Sequence, residues 1–313
     1  MDQYRRRPIS RGGVFFNGRE VRIRGRDNEI SVTIDQLAEP DRRILREDRL
    51  KRLGGSLHGR KSPLPVREYY FPTPYDFLNG DIARESFRDR YESNLEHVQE
   101  PFRKNDRFLL YVPPGYDDTQ PSAVIVFINS GDSPVDPQRR GWTPILDDFN
   151  VIYISPYDAG NGISVLPRTM AAMNALATVK ADYVIDPDRV IISGRSGGGA
   201  MSMIIAFAYP TEFHGCLSVV RGHTIDTYER DGGRFHPELR PLPRENRELV
   251  RQNNIRWAFV SGENDYNYAG VIRSVSQFKD NDFNVHFVDV PGMGHAQMEP
   301  GPFREALGWL LKE

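Results

Sequence analysis

The sequence predicts an α/β protein: a doubly wound, mostly parallel sheet, preceded by a small β-rich module. Three observations lead there. Mainly apolar runs of three to six residues recur from residue 123 onward, which suits strands covered on both faces. Helical spacing falls between several of those runs, and strand–helix alternation sustained over about 200 residues builds parallel βαβ units. Before residue 60, apolar residues alternate in short bursts between turn signals, as in short antiparallel strands.

In chain order, Val14-Phe15-Phe16 leads to Asn17-Gly18, a hairpin turn pair. Val21 and Ile23 follow, then a second turn at Asp27-Asn28, then Ile30, Val32 and Ile34. Residues 41–53 are highly charged, with Ile44, Leu45, Leu50 and Leu53 spaced as in a short helix. Gly54-Gly55 through Pro63 and Pro65 has a linker's composition. Residues 1–60 are therefore expected to form an accessory module, and 66–313 the main domain.

The main domain opens with strand-like runs at 84–93 and 107–113. The apolar runs at 123–128, 151–154, 190–192, 216–220, 257–260 and 285–290 are the predicted sheet. Leu166, Met170, Met173 and Ala177 mark one helix, and Met201, Ile204, Ile205 and Ala208 mark another that Pro210 ends. Phe303, Leu307 and Leu310 mark a last helix. Residues 222–254 are polar and Arg-rich and show no clear strand.

Composition narrows the partners. The net charge is −2, with 39% hydrophobic and 27% charged residues, ordinary values for a globular chain. Nothing in that balance calls for nucleic acid or a membrane surface, and no apolar run approaches the roughly 20 residues of a membrane span. Cys216 is the single cysteine, so an intrachain disulfide is impossible, and its apolar surroundings suit a small buried hydrophobe. Neither a His-Glu-x-x-His pattern nor paired carboxylates at ligand spacing suggest a metal. The first residues carry no signal-peptide pattern, and the sequence leaves compartment and oligomeric state open.

The sharpest local signal is Gly194-Arg195-Ser196-Gly197-Gly198-Gly199, between a predicted strand and a predicted helix. A serine hydroxyl becomes a nucleophile when a strained strand-to-helix turn presents it to a base. Such a turn crowds strand against helix, so the positions around Ser196 must be tiny, and Gly194, Gly198, Gly199 and Ala200 are. The base is expected after the last strand, where Pro291-Gly292-Met293-Gly294 leads into His295. His286 is inside that strand; His58, His97, His214, His223 and His236 come too early for the order Ser, Asp, His.

The acid is expected after the preceding strand, where Asp265 leads, Glu263 is a rival, and Asp280 and Asp282 are weaker ones. The alternative job for Asp265 is to cap the next helix. For a developing oxyanion, one donor is expected at the Gly197 N–H, and the other at the backbone of Asp132 or Ser133, after strand 123–128. Tyr157, Tyr266 and Tyr268 follow sheet strands near the expected mouth, where aromatics bind substrate or pack the rim.

Residues 80–313 resemble the esterase branch of the α/β hydrolases that includes feruloyl, enterochelin and polyhydroxybutyrate-depolymerase-like enzymes. The resemblance is carried by Tyr111-Val112-Pro113-Pro114-Gly115-Tyr116-Asp117, Asp186-Pro187-Asp188-Arg189-Val190, the serine turn with Met201, and Tyr209-Pro210-Thr211-Glu212-Phe213. It implies a cofactor-free serine hydrolase that cleaves a carboxylic ester, small or polymer-attached, through Ser196, Asp265 and His295. It also implies a lid or cap insertion at 222–254. Two departures stand out: Ser130-Gly131 replaces the usual His-Gly, and the cysteines of many secreted depolymerases are missing. The same triad serves peptidases and acyl transferases, and an inactive hydrolase fold can serve as a binding protein. Ile30-Ser31-Val32-Thr33-Ile34, with Leu37 and Asp41, is similar to a small SH3-like module.

Overall fold

The computed structural model describes residues 14–16, 20–24, 29–33, 36–37, 67–70, 107–117, 119–163, 165–235 and 244–312. The turns expected at 17–18 and 27–28, the helix at 41–53, the linker and the strand at 84–93 lie outside the described residues, as do His58, His97 and His236.

Strands β1 (Val14–Phe16), β2 (Glu20–Arg24) and β3 (Glu29–Thr33) form an antiparallel sheet of their own. The alternation read from the sequence sets its register, with Val14 opposite Ile23 and Val21 opposite Val32. Val21 is buried and Ile30 is exposed.

The main sheet has eight strands: β4 (Arg67–Tyr70), β5 (Arg107–Tyr111), β6 (Ser122–Ile128), β7 (Val151–Pro156), β8 (Ile185–Arg195), β9 (Gly215–Val219), β12 (Arg256–Ser261) and β13 (Asn284–Asp289). Their order is β13-β12-β9-β8-β6-β7-β5-β4. From β13 to β7 every neighbour is parallel; β5 and β4 complete the edge antiparallel.

Helices cover both faces. On one lie α2 (Val165–Asp182), α3 (Gly197–Ala208) and α5 (Tyr268–Asp280); on the other lie α1 (Thr143–Asp148) and α6 (Pro300–Leu310). Strand β6 shows why its apolar run is continuous. Val124, Val126 and Ile128 face the first core, while Ala123, Ile125 and Phe127 face the second. Trp257 on β12 packs against Phe207 of α3 and Phe278 of α5, with ring centroids 4.6 and 5.0 Å apart, fixing both helices to the strand.

The motif at 111–117 has structural work here. Tyr111 donates to Asp147 at 2.6 Å, and the Tyr116 hydroxyl accepts the Val184 N–H at 2.9 Å. Cys216 is buried, and burial pushes its thiol up to about 12, so it stays an inert thiol.

Residues 222–254 differ from the strandless stretch expected. They hold a hairpin of β10 (Tyr228–Arg230) and β11 (Gly233–Phe235) and a helix, α4 (Arg244–Gln252). The hairpin strands are mainly polar, so no apolar run betrays them. Their signal is the turn pair Asp231-Gly232, both at positive φ (49° and 73°). Helix α4 anchors through buried Val250, and Arg247 reaches Asp226 at 3.0 Å.

Candidate active site

Strand order turns around at β6, with β7 on one side and β8 on the other, and the crevice beyond the carboxyl ends of such strands is where α/β sheets bind ligands. The register aligns those ends. Ile128 is opposite Gly194, Arg195 opposite Val219, Val219 opposite Val260, and Ser261 opposite Asp289. Loops leaving β8, β12 and β13 therefore start level, and Ser196, Asp265 and His295 lie one, four and six residues beyond their strands.

Ser196 sits at φ 55°, ψ −119°, a backbone conformation that L-residues avoid. Its N–H donates to the Val219 carbonyl at 2.8 Å, and its carbonyl accepts the Ala200 N–H at 3.0 Å, so sheet and helix both hold the turn. The surrounding glycines are steric necessities: a Cβ at Gly194 would overlap the Gly198 carbonyl, and one at Gly198 would overlap the Ile128 carbonyl.

His295 links the other two. Its Nε2 is 2.8 Å from the Ser196 Oγ, and its Nδ1 is 2.8 Å from the Asp265 Oδ1. A carboxylate only accepts, so Nδ1 carries the proton and Nε2 offers its lone pair to the serine hydroxyl. Asp265 is 3% exposed, yet its oxygens also receive the Ser261 hydroxyl at 2.9 Å and the Asn267 N–H at 3.0 Å. Those bonds compensate the burial of its charge and lock its plane.

The rival acids are placed elsewhere. Glu263 spends both oxygens on the Gly292 N–H, at 2.9 and 3.0 Å, shaping the histidine loop. Asp280 accepts from Ser276 at the far end of α5, and Asp282 is in the turn after it, at φ 59°.

The tyrosines part company. Tyr266, 77% exposed, stacks on the His295 ring with centroids 4.2 Å apart. Tyr268 donates to Asp289 at 2.8 Å and ties α5 to β13, which raises its phenol pKa. Tyr157 is half-buried, with the Arg107 guanidinium 4.0 Å above its ring.

The loops after β6 and β7 form the opposite wall. Gly197 is in the first turn of α3, where helix geometry gives its N–H no intrahelical acceptor. Asp132 and Ser133 are exposed; the Asp132 carbonyl accepts the Asp158 N–H at 2.7 Å, and the Ser133 carbonyl accepts the Asn129 amide at 2.8 Å.

Two residues of this wall escaped the sequence reading. The side-chain amide of Asn161 lies against the Cα of Gly197, where a Cβ would collide with it. The Asn161 N–H donates to Ser130 at 2.9 Å. Arg168, buried on α2, donates from Nε to the Ala159 carbonyl at 2.7 Å and from Nη2 to the Asn129 carbonyl at 3.4 Å, clamping the two loops together. Burial lowers its pKa to about 10, so it keeps its charge at neutral pH. Neither residue has a local signature; both act through contacts distant in sequence.

Among the described residues, no group of three His, Cys, Asp or Glu side chains converges as a metal site, and no helix is long and apolar enough to cross a membrane.

A family model of the prolyl oligopeptidase family matches residues 169–310, the stretch containing Ser196, Asp265 and His295. Among solved structures, the S-formylglutathione hydrolase of Staphylococcus aureus is similar at 12% identity, over 66% of this chain and 93% of that one, with a TM-score of 0.51. A thermostable esterase is similar at 16% identity, over 66% of this chain and 58% of that one, with a TM-score of 0.50. No curated protein matches in sequence. The fold of the main sheet and its helices is that of the α/β hydrolases.

Proposed function

We propose that this protein is a serine hydrolase that cleaves carboxylic esters through an acyl-enzyme on Ser196. One observation carries the reading: the unbroken run of hydrogen bonds from Asp265 through His295 to the Ser196 Oγ, both links 2.8 Å long.

The steps follow from those contacts. His295 Nε2 takes the hydroxyl proton as the Ser196 Oγ attacks the ester carbonyl, and Asp265 stabilises the imidazolium. The Gly197 N–H meets the developing oxyanion, with a second donor from Asp132 or Ser133 and the Asn161 amide bordering the space. The imidazolium then gives its proton to the leaving alcohol. Water, activated by the same histidine, releases the acid and restores Ser196. No step calls on a cofactor. The strained Ser196 backbone supports this role, because such strain persists where the surrounding structure enforces it.

The test is direct. A fluorophosphonate probe should label Ser196, and Ser196→Ala should lose labelling and nearly all turnover of short-chain and aryl esters while its far-UV spectrum is unchanged. Full turnover by the alanine variant would defeat the proposal.

A second reading, a serine peptidase, is favoured by the family match over 169–310. Turnover of a prolyl nitroanilide at rates rivalling those on esters would support it.

A further inference from the structure

A cavity of about 460 Å³ adjoins the serine turn, with Asn129, Asp136, Arg139, Arg140, Arg195 and Gln297 among its lining. Two of the lining residues are sequence neighbours of the proposed triad. Arg195 immediately precedes Ser196, and Gln297 is two residues beyond His295.

The charges in the lining do not cancel. Arg139 has a partner, its Nε 3.4 Å from Asp136. No carboxylate among the described residues forms a salt bridge with Arg140 or Arg195. The Arg195 Nη2 donates to the Ser130 Oγ at 2.6 Å, while its Nε is buried without a hydrogen-bond partner. The Gln297 Oε1 is likewise buried and unpartnered, and its amide can turn to present N–H₂ instead. Burial, and then the like charge of Arg140, act against the charge of Arg195, so this guanidinium is held where its surroundings oppose it. Tyr266, which stacks on His295, also bears on that charge.

Two guanidiniums and an adaptable amide around one small cavity match the two oxygens of a carboxylate. We infer that this cavity binds a carboxylate borne on the substrate, so that the preferred esters are anionic and carry the acid on a short arm from the scissile carbonyl or its alcohol. Resting on the esterase reading, this names the substrate class of the same site.

The experiment compares 4-nitrophenyl hemiglutarate with 4-nitrophenyl valerate, which share acyl length and leaving group and differ in the terminal charge. The acid 3-acetoxypropionate against propyl acetate makes the same comparison on the alcohol side. In at least one pair, kcat/KM should favour the anionic ester by about tenfold at low ionic strength, and salt should narrow the gap. Arg140→Gln, on the exposed rim, and Arg195→Gln should each collapse that ratio by about fivefold or more. Calorimetry with glutarate on the full-length Ser196→Ala protein gives a readout independent of turnover, and Arg140→Gln in that background should weaken binding by a similar factor. Anionic esters no better than neutral ones in both pairs, or ratios unmoved in both variants, would overturn the inference and leave the esterase reading standing. Inert esters with saturable, arginine-dependent glutarate binding would uphold the anion site and sink the esterase reading. Absence of glutarate binding would overturn the inference whatever the kinetics.

Discussion

The two walls of the crevice are built differently. On the proposed acid–base side, Ser196, Asp265 and His295 each follow a parallel strand by six residues or fewer, and the sheet's register brings the starts of their loops level. On the proposed oxyanion side, the loops after β6 and β7 hold each other through Asp158 to Asp132, Asn161 to Ser130, and the buried Arg168 clamp. One wall starts from strand register, with braces such as Glu263 on Gly292; the other is held by backbone bonds between loops and by the Arg168 side chain. A wall of the first kind keeps its geometry unless the strand ladder, a local brace or a reacting group is changed, whereas a wall of the second kind can be loosened from a distance.

After loss of the nucleophile itself, the largest effect should come from Asp265→Asn. The amide can present N–H to Nδ1, favouring the tautomer with the proton on Nε2, and kcat should fall by about 10³–10⁴. Glu263→Gln keeps the size of a group that only braces Gly292, so its loss should stay within about tenfold. Steady-state kinetics on one ester reads both, and equal losses would move the acid's role away from Asp265.

That same division decides what the sequence disclosed. Strand runs, the tiny residues around Ser196, and a histidine beyond the last strand are local patterns, so fold class and candidate triad could be read together. Asn161 and Arg168 carry no pattern: a polar loop residue and one arginine on an apolar helix gain meaning only when α2 and the loops meet. The hairpin at 228–235 was hidden for another reason. Its strands are polar, and only Asp231-Gly232 marked it.

Next in size is Gly198→Ala. Its Cβ would strike the Ile128 carbonyl, backbone of the adjacent strand, which cannot move without breaking the β6–β8 ladder. Overpacking of this kind should cost about 3 kcal/mol of stability, seen as a lowered denaturation midpoint, together with most of the activity. Gly197→Ala meets the Asn161 side chain instead, which can swing away, so it should unfold almost like the parent and lose activity alone. Two equally destabilised variants would mean that Asn161 is held as rigidly as the strand.

Asn161→Ala tests the loop-built wall directly. If the amide helps to shape the oxyanion space, kcat should fall by about 10–100-fold with KM little changed, below the loss for a full oxyanion donor. A rise in KM with kcat intact would instead assign Asn161 to ground-state substrate contact.

The smallest effect on chemistry is expected from removing the N-terminal sheet. Every residue placed in the crevice lies at or beyond Asn129, and among the described residues β1, β2 and β3 pair only with one another. Contact with the main domain includes β1 against α2, the helix that carries Arg168. A chain beginning at residue 62 keeps β4, so the eight-stranded sheet is whole, and it should turn over small soluble esters within about threefold of the parent. It also uncovers part of α2, which should lower Tm by about 3–8 °C in calorimetry. Because Arg168 spans the two loops from that helix, a softened α2 would be felt first on the oxyanion side: kcat would drop while fluorophosphonate labelling of Ser196 persisted. Loss of labelling and turnover together, in a shortened protein that stays folded and monodisperse, would show that the N-terminal segment shapes the acid–base wall as well, and residues 1–60 could then no longer be treated as a separate module.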